Sequence, residues 1–384
     1  MNWLKDPTTQ VSQPGACSAA GMPSESGPRG TKRLHSRLCN TFSFGFAVLA
    51  VCAALSGTLY AEDLPVHGIE NIFQPTSLPA ESLSFLSVLV LAICAGIFVI
   101  VAGLLTYGII RYRRRGPEDD ATEPAQVYGS TAIELAWTVP PILIVVVLVL
   151  VTGRVIGEFS AFQPLGNNEE IRIIGHRFWW EVRYPRYQVV TANEIHVPID
   201  DRTQPAATKL ILESADVAHG FWVPKLNGKS WVVPNYRNQL WIKPYQTGIY
   251  LGNCTVLCGP QHANMLIRVV VQSQDDYYRW LDNQQKATVE DPSVVQGRKA
   301  FVENTCGACH RIQNVDGANG SFGPDLTHFM SRRTLGAGVA PNDEEHLRSW
   351  LRDPQILKPG CLMPNMKLDD HEVDLILAYL RTLK

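Results

Sequence analysis

Apolar residues are unevenly spread along this chain, and the unevenness divides it. Leu83 to Ile110 ("LSFLSVLVLAICAGIFVIVAGLLTYGII") is 28 residues without a charge. As a helix it would measure ~42 Å, against ~30 Å for the hydrocarbon core of a bilayer. Leu135 to Val151 ("LAWTVPPILIVVVLVLV") is a second, shorter run with Pro140 and Pro141 near its start. A buried helix of a soluble protein is the competing reading, but uncharged runs this long favour membrane spans. Between the runs stands "RYRRRG", with Arg111, Arg113, Arg114 and Arg115. Arginines there predict a short cytoplasmic loop, so both ends of the hairpin face outward and everything after about Gly157 lies outside the membrane.

The first 61 residues pattern differently. "GTKRLHSRLCN" followed by "TFSFGFAVLAVCAALSG" has the basic and apolar regions of a secretory signal ending near Ala61. The residues before Gly30 are polar, and translation from Met22 would suit the pattern equally. Residues 1–61 are therefore set aside as a leader, and 62–82 are expected as an external segment before a transmembrane hairpin at 83–157.

From Glu169 to Val271 the texture changes to short apolar runs cut by Pro, Gly and Asn, such as "EIRIIGHRFWWEVRYP" and "QLWIKPYQTGIYLGNC". This spacing predicts a small β-sandwich or barrel over 158–285. "DDYYRWLDNQQ" should close it as a helix, and "QQKATVEDPS" reads as a polar linker. In 286–384, "SVVQGRKAFVENTCGACH" predicts a helix running into a cysteine pair. At the end, "LDDHEVDLILAYLRTLK" places Val373, Ile376, Leu377 and Leu380 on one stripe, with Asp369 or Asp370 as N-cap. That segment is expected to be a small all-α domain.

A length of 384 residues accommodates these parts. The formal charge of −2 gives no polyelectrolyte reason to expect nucleic acid. Of nine cysteines, Cys17, Cys39 and Cys52 lie in the leader and Cys94 in a span. Cys254, Cys258, Cys306, Cys309 and Cys361 lie in the exported part, where disulfides would be the ordinary expectation.

Two motifs resist that expectation. "GNCTVLCGPQHANM" gathers Cys254, Cys258, His262 and Met265. Thiolate, imidazole and thioether together select copper, and a single blue-copper site would use one cysteine with two histidines. Two cysteines four apart instead let two thiolates bridge two copper ions, each wanting an imidazole. His262 supplies one. His219, in "SADVAHGFWVP" and 35 residues before Cys254, is the candidate for the other, while His176 and His196 are unassigned. The second motif, "CGACH" from Cys306 to His310, is the attachment signature of c-type heme, with His310 beneath the iron. A methionine should supply the sixth ligand, and Met330, Met363 and Met366 compete for it.

"SADVAHGFWVP" with "GNCTVLCGPQHANM" resembles the dinuclear copper A motif of cytochrome c oxidase subunit II, over about Pro65 to Leu281. The resemblance implies His219, Cys254, Cys258, His262, Met265 and the backbone carbonyl of Val256 as copper ligands. Two departures accompany it. The family commonly has glutamate at Val256, whose carboxylate helps hold magnesium. It also often has tryptophan, where electrons enter, at the position of Phe178. "TAIELAWTVPP" resembles the family's second span, and Glu134 matches the glutamate at the mouth of its proton path. From Ser293 to Lys384, "GPDLTHFMSRRT" and "KPGCLMPNMKL" resemble class I cytochrome c domains fused to oxidase subunits, which selects Met363 as axial ligand. Cys361 is left as a free thiol.

The expected architecture is a multidomain membrane protein: a two-helix transmembrane hairpin, an all-β cupredoxin-like domain and an all-α cytochrome c domain. No nucleophile–base pair, phosphate loop or catalytic carboxylate pair stands out. The resemblance implies an electron-transfer subunit of a terminal oxidase in the bacterial inner membrane, with its copper and heme domains on the periplasmic face. An external donor, such as a cytochrome c or a quinol–cytochrome c reductase, would reduce heme c. Heme c would reduce the copper pair, and the copper pair would pass electrons to catalytic subunit I. A copper A subunit of a nitric oxide reductase is the alternative within electron transfer. A membrane-anchored copper chaperone is the alternative outside it, disfavoured by His262, Met265 and the fused heme. A quinol oxidase subunit lacks the cysteines.

Overall fold

The computed structural model describes residues 66–67, 72–114, 116, 126, 128–161, 169–200, 207–288 and 291–384; the leader expected at 1–61 lies outside the described residues. Both apolar runs are helices, and both overrun their apolar stretch. Helix α1 spans Leu78–Tyr112, with Pro79 and Glu81 in its first turn. Proline is tolerated there because the N–H it lacks would have no helical partner. Helix α2 spans Thr131–Ala161 and contains Pro140 and Pro141. Phe98, Leu104 and Leu150 stand exposed along these helices, a surface suited to lipid.

Among the described residues thirteen short strands form, eleven of them in or beside a sandwich. One sheet runs in the order β4 (Val189–Ala192), β3 (Trp179–Tyr184), β2 (Glu169–His176), β6 (Thr208–Ser214), β9 (Asn238–Ile242). The other runs β5 (Glu194–Pro198), β11 (Leu266–Gln272), β10 (Gly248–Cys254), β7 (His219–Trp222), β8 (Ser230–Val232), with β1 (Val66–His67) alongside β10. Ile171, Trp180, Leu212, Phe221, Val269 and Val271 fill the space between them. Helix α3, Gln274–Gln284, is capped by Ser273 and adds Tyr277 and Leu281 to this core. The sandwich is tied to α1, since Ser77 Oγ accepts from Lys243 N at 3.0 Å and Tyr245 OH donates to Pro75 O at 2.7 Å.

The C-terminal domain contains α4 (Val295–Glu303), α5 (Glu344–Arg352), the single turn α6 (Pro354–Leu357) and α7 (Asp370–Leu380). Asp369 caps α7 in a capping box with Glu372, and Val373, Ile376, Leu377 and Leu380 are all buried. Where α4 crosses α7, a Cβ on Gly297 would fall 2.1 Å from Leu375 O, so the crossing requires glycine. A two-stranded hairpin, β12 (Thr334–Leu335) with β13 (Ala340–Pro341), completes the domain. Strands of two residues carry no readable period, and the hairpin adds a β element to the all-α expectation.

The C-terminal domain packs directly on the sandwich. Glu194, 2% exposed, accepts from Arg333 N at 2.9 Å, Thr334 N at 3.1 Å and Thr334 Oγ1 at 3.2 Å. Leu266 N donates to Ala337 O at 3.1 Å. The segment read as a polar linker is partly pinned: Gln284 Nε2 donates to Ser331 Oγ, and the Lys286 carbonyl lies 3.0 Å from His328 Nε2.

Candidate functional site

The antiparallel pairing of β7 with β10 sets Cys254 opposite Phe221, two residues from His219. Beyond Cys254 the chain loops out and returns through a short turn at His262–Asn264 into β11. Cys254 N donates to Met265 O at 3.2 Å and closes the loop at its neck. Six donor atoms result. Cys254 Sγ lies 3.9 Å from Cys258 Sγ, 4.0 Å from His219 Nδ1 and 3.4 Å from Val256 O. Cys258 Sγ lies 3.7 Å from His262 Nδ1 and 4.0 Å from Met265 Sδ. The sulfur separation is nearly twice a disulfide bond of ~2.05 Å, and both thiols are free.

The electrostatics fit metal binding. The hydrogen bond from Cys258 holds the Cys254 thiol well below the usual thiol range, and the same contact pushes Cys258 up. A cation bound there would compete with protons for the two sulfurs. At His219 burial acts to lower the pKa, but hydrogen bonds to Cys254 and Asp216 outweigh it and leave it raised. His219 Nε2 donates to Asp216 Oδ1 at 2.9 Å, which turns Nδ1 toward the sulfurs. Two thiols, two imidazoles, a thioether and a carbonyl gathered around the Cys254–Cys258 pair form a donor set soft enough for copper.

The heme motif adopts a tight turn at Cys306–Ala308 beside an apolar cleft. Cys309, His310, Leu326, Phe329, Trp350 and Met363 are among its walls. His310 Nδ1 donates to Pro324 O at 2.8 Å, leaving Nε2 for a ligand. A Cβ on Gly323 would lie 2.6 Å from His310 Cε1, so glycine lets the imidazole lie against the chain. Trp350 Nε1 donates to Met363 Sδ at 3.2 Å. Met330 and Met366 are absent from the cleft walls. Burial pushes the Cys306 thiol up to about 11. An apolar cleft lined by Cys309, an imidazole and a thioether, with the free thiol of Cys306 in the adjoining turn, fits a covalently attached porphyrin.

The cleft reaches the sandwich: Arg177, Phe178, Trp179 and Asn193 close one side. The Phe178 ring also packs on the copper loop, where a Cβ on Gly259 would meet it at 2.9 Å. Of the other residues singled out, Glu134 sits in the first turn of α2, exposed, at the hairpin end that carries the arginines. Cys361 lines the cleft, its thiol raised by burial. His196 is buried and stacked on Trp280 at 3.9 Å, and His176 stacks on Trp179 at 4.3 Å. Asp216, Trp350, Glu194 and Lys358 escaped the sequence reading. Asp216 had a signal in its position three residues before His219.

Three family models match in succession: cytochrome c oxidase subunit II, transmembrane domain, at 67–153; cytochrome c oxidase subunit II, periplasmic domain, at 191–273; and cytochrome c at 294–384. Cytochrome c oxidase subunit 2 of Alkalihalophilus pseudofirmus is 35% identical over 309 residues, covering 78% of this chain and 85% of that protein. The protein of the same description from Bacillus subtilis is 32% identical, covering 72% and 82%. Among solved structures, the periplasmic domain of subunit II of cytochrome oxidase from Bradyrhizobium japonicum covers 32% of this chain and 96% of that one, at 25% identity and a TM-score of 0.29. With family matches to the hairpin, the sandwich and the heme-signature domain, and relatives aligned over most of their own length, this chain belongs to the cytochrome c oxidase subunit II family, as an oxidase electron-transfer subunit with a C-terminal cytochrome c domain.

Proposed function

We propose that this subunit carries single electrons from an external donor to the oxygen-reducing catalytic subunit, its two donor sets lying on the periplasmic side of the inner membrane. The observation that carries this reading is the position of Phe178, which touches the copper loop at Gly259 and lines the heme cleft. When bound, heme c and a dinuclear copper pair would supply two one-electron centres in series between the donor and a heme of catalytic subunit I.

The chain's own residues have separable tasks. Cys306 and Cys309 would hold the porphyrin covalently, and His310 Nε2 and Met363 Sδ would be its iron ligands. Cys254 and Cys258 would hold the coppers through their thiolates, with His219, His262, Met265 and the Val256 carbonyl completing the set. A carbonyl ligand is indifferent to its side chain, so valine at 256 serves copper, but its alkyl group offers magnesium nothing. Leu257, 80% exposed between the cysteines, gives the loop an apolar tip for the partner subunit. Glu134, at the opposite end of the hairpin, stands at the mouth of a proton path. Arg111, Arg113 and Arg114 hold that end in the cytoplasm.

Replacing one ligand from each set tests the division. Met363→Ala should change the heme spectrum and potential and leave the copper signal intact. Cys258→Ser should do the reverse. Loss of both centres from either substitution would reject two separable sites.

A further inference from the structure

Lys358 follows α6 and is 2% exposed, yet among the described residues no carboxylate pairs with it. Its Nζ donates to three backbone carbonyls: Phe178 O at 2.8 Å, Asn264 O at 2.8 Å and Gly336 O at 2.7 Å. An ammonium has three N–H groups for these three acceptors, whereas a neutral amine would turn its lone pair toward one of them. Burial draws the group down to about 7, against the opposing pull of the Cys361 and Cys258 sulfurs.

The three carbonyls belong to three functional segments. Phe178 lies in the turn that closes the heme cleft. Asn264 lies in the copper loop, between His262 and Met265. Gly336 lies in the β12–β13 hairpin, on the cleft wall. Neighbouring contacts repeat the pattern, since Gln261 donates to Pro359 O and Leu266 N donates to Ala337 O. Glu194 forms a separate anchor to the hairpin and makes none of the contacts to the copper loop.

We propose that Lys358 is a positioning residue for electron transfer between the two centres, fixing the copper loop to the heme cleft through Phe178, Asn264 and Gly336. The proposal rests on the reading of the two centres given above. The electron passed would leave the heme iron and enter the copper pair. A fixed gap replaces a search by a tethered domain. The buried positive charge also favours the copper pair with the extra electron.

The test uses the full chain in its purified oxidase. Copper and heme content of the wild type are measured first, and a missing centre there would reject the reading above rather than the role of Lys358. Lys358→Met should keep both centres, slow internal transfer at least tenfold, lower the copper midpoint potential and raise amide exchange in 259–266 and 334–340. Glu194→Gln, which loosens docking without touching the copper loop, should raise exchange in 334–340 and leave the copper potential in place. Where Lys358→Met does not accumulate, Lys358→Gln is measured instead, because an amide cannot satisfy three carbonyls at once. Wild-type transfer rate and copper potential in a fully loaded Lys358 variant would overturn the proposal. So would an equal shift of copper potential in Glu194→Gln, which would make Lys358 one docking contact among several.

Discussion

Asp216 Oδ1 stands 2.9 Å from Nε2 of His219, whose other ring nitrogen faces the Cys254 sulfur at 4.0 Å. A carboxylate in this place fixes which nitrogen is free for metal and raises its basicity. Asp216→Asn should therefore weaken copper retention by roughly 10–100-fold and leave the sandwich folded. Competition with a copper chelator, monitored by the copper absorption, measures this. Unchanged retention would make Asp216 a structural partner only.

Trp350 would bear on a bound heme in a comparable way. Its indole N–H donates to Met363 Sδ at 3.2 Å and withdraws electron density from the thioether. Trp350→Phe should lower the heme midpoint potential. A hydrogen bond of about 0.5–1.5 kcal/mol corresponds to roughly 20–65 mV for one electron. Redox titration of the heme band reads the shift, and a potential that rises would argue against Met363 as the ligand.

The copper loop was legible because four of its side-chain donors fall within twelve positions, and "CGACH" because its chemistry is contiguous. The hydrophobic stripe of α7 and the texture of the sandwich were legible through period alone. In sequence Met363 was favoured over Met366 by the proline that follows it and selected by resemblance; in three dimensions the cleft wall includes one and leaves out the other. Lys358 was not legible at all. Its acceptors are backbone carbonyls at separations of 22, 94 and 180 residues, which leave no pattern in the chain. The helices outran their apolar runs because polar first and last turns suit a membrane interface and carry no hydropathy signal.

His196 gives the sandwich a pH dependence. Burial lowers its pKa from 6.5 to about 4, and it stacks on Trp280 while Nδ1 meets Gln272 Oε1 at 2.7 Å. Between those values the unfolded chain takes up a proton that the folded chain refuses. Stability is full above pH 6.5 and falls as the pH drops toward 4, by about 3 kcal/mol. His196→Gln should flatten that fall. Chemical denaturation across pH 4–7 compares the two slopes, and parallel slopes would place the acid sensitivity elsewhere.

Gly297 offers a test of the C-terminal domain. Its missing side chain admits Leu375 O, which a Cβ would meet at 2.1 Å. Gly297→Ala must push α4 off α7 and should cost about 1–3 kcal/mol. Thermal unfolding followed at the heme band should show a lower midpoint, while the copper band melts near its wild-type temperature.

Glu134→Gln should slow oxidase turnover and leave the heme and copper spectra unchanged, as expected for a group that serves proton uptake at the far end of the hairpin. Unaltered turnover would reject that role.

The central claim is that two neighbouring thiolates clasp a pair of coppers beside a covalently held heme. Metal analysis of the full chain, purified without its partner subunits, tests it most directly when combined with thiol mapping of Cys254 and Cys258. The account predicts two coppers per heme iron and no bond between the two sulfurs. A single copper per iron, or a Cys254–Cys258 disulfide in chain that still passes electrons, would contradict it.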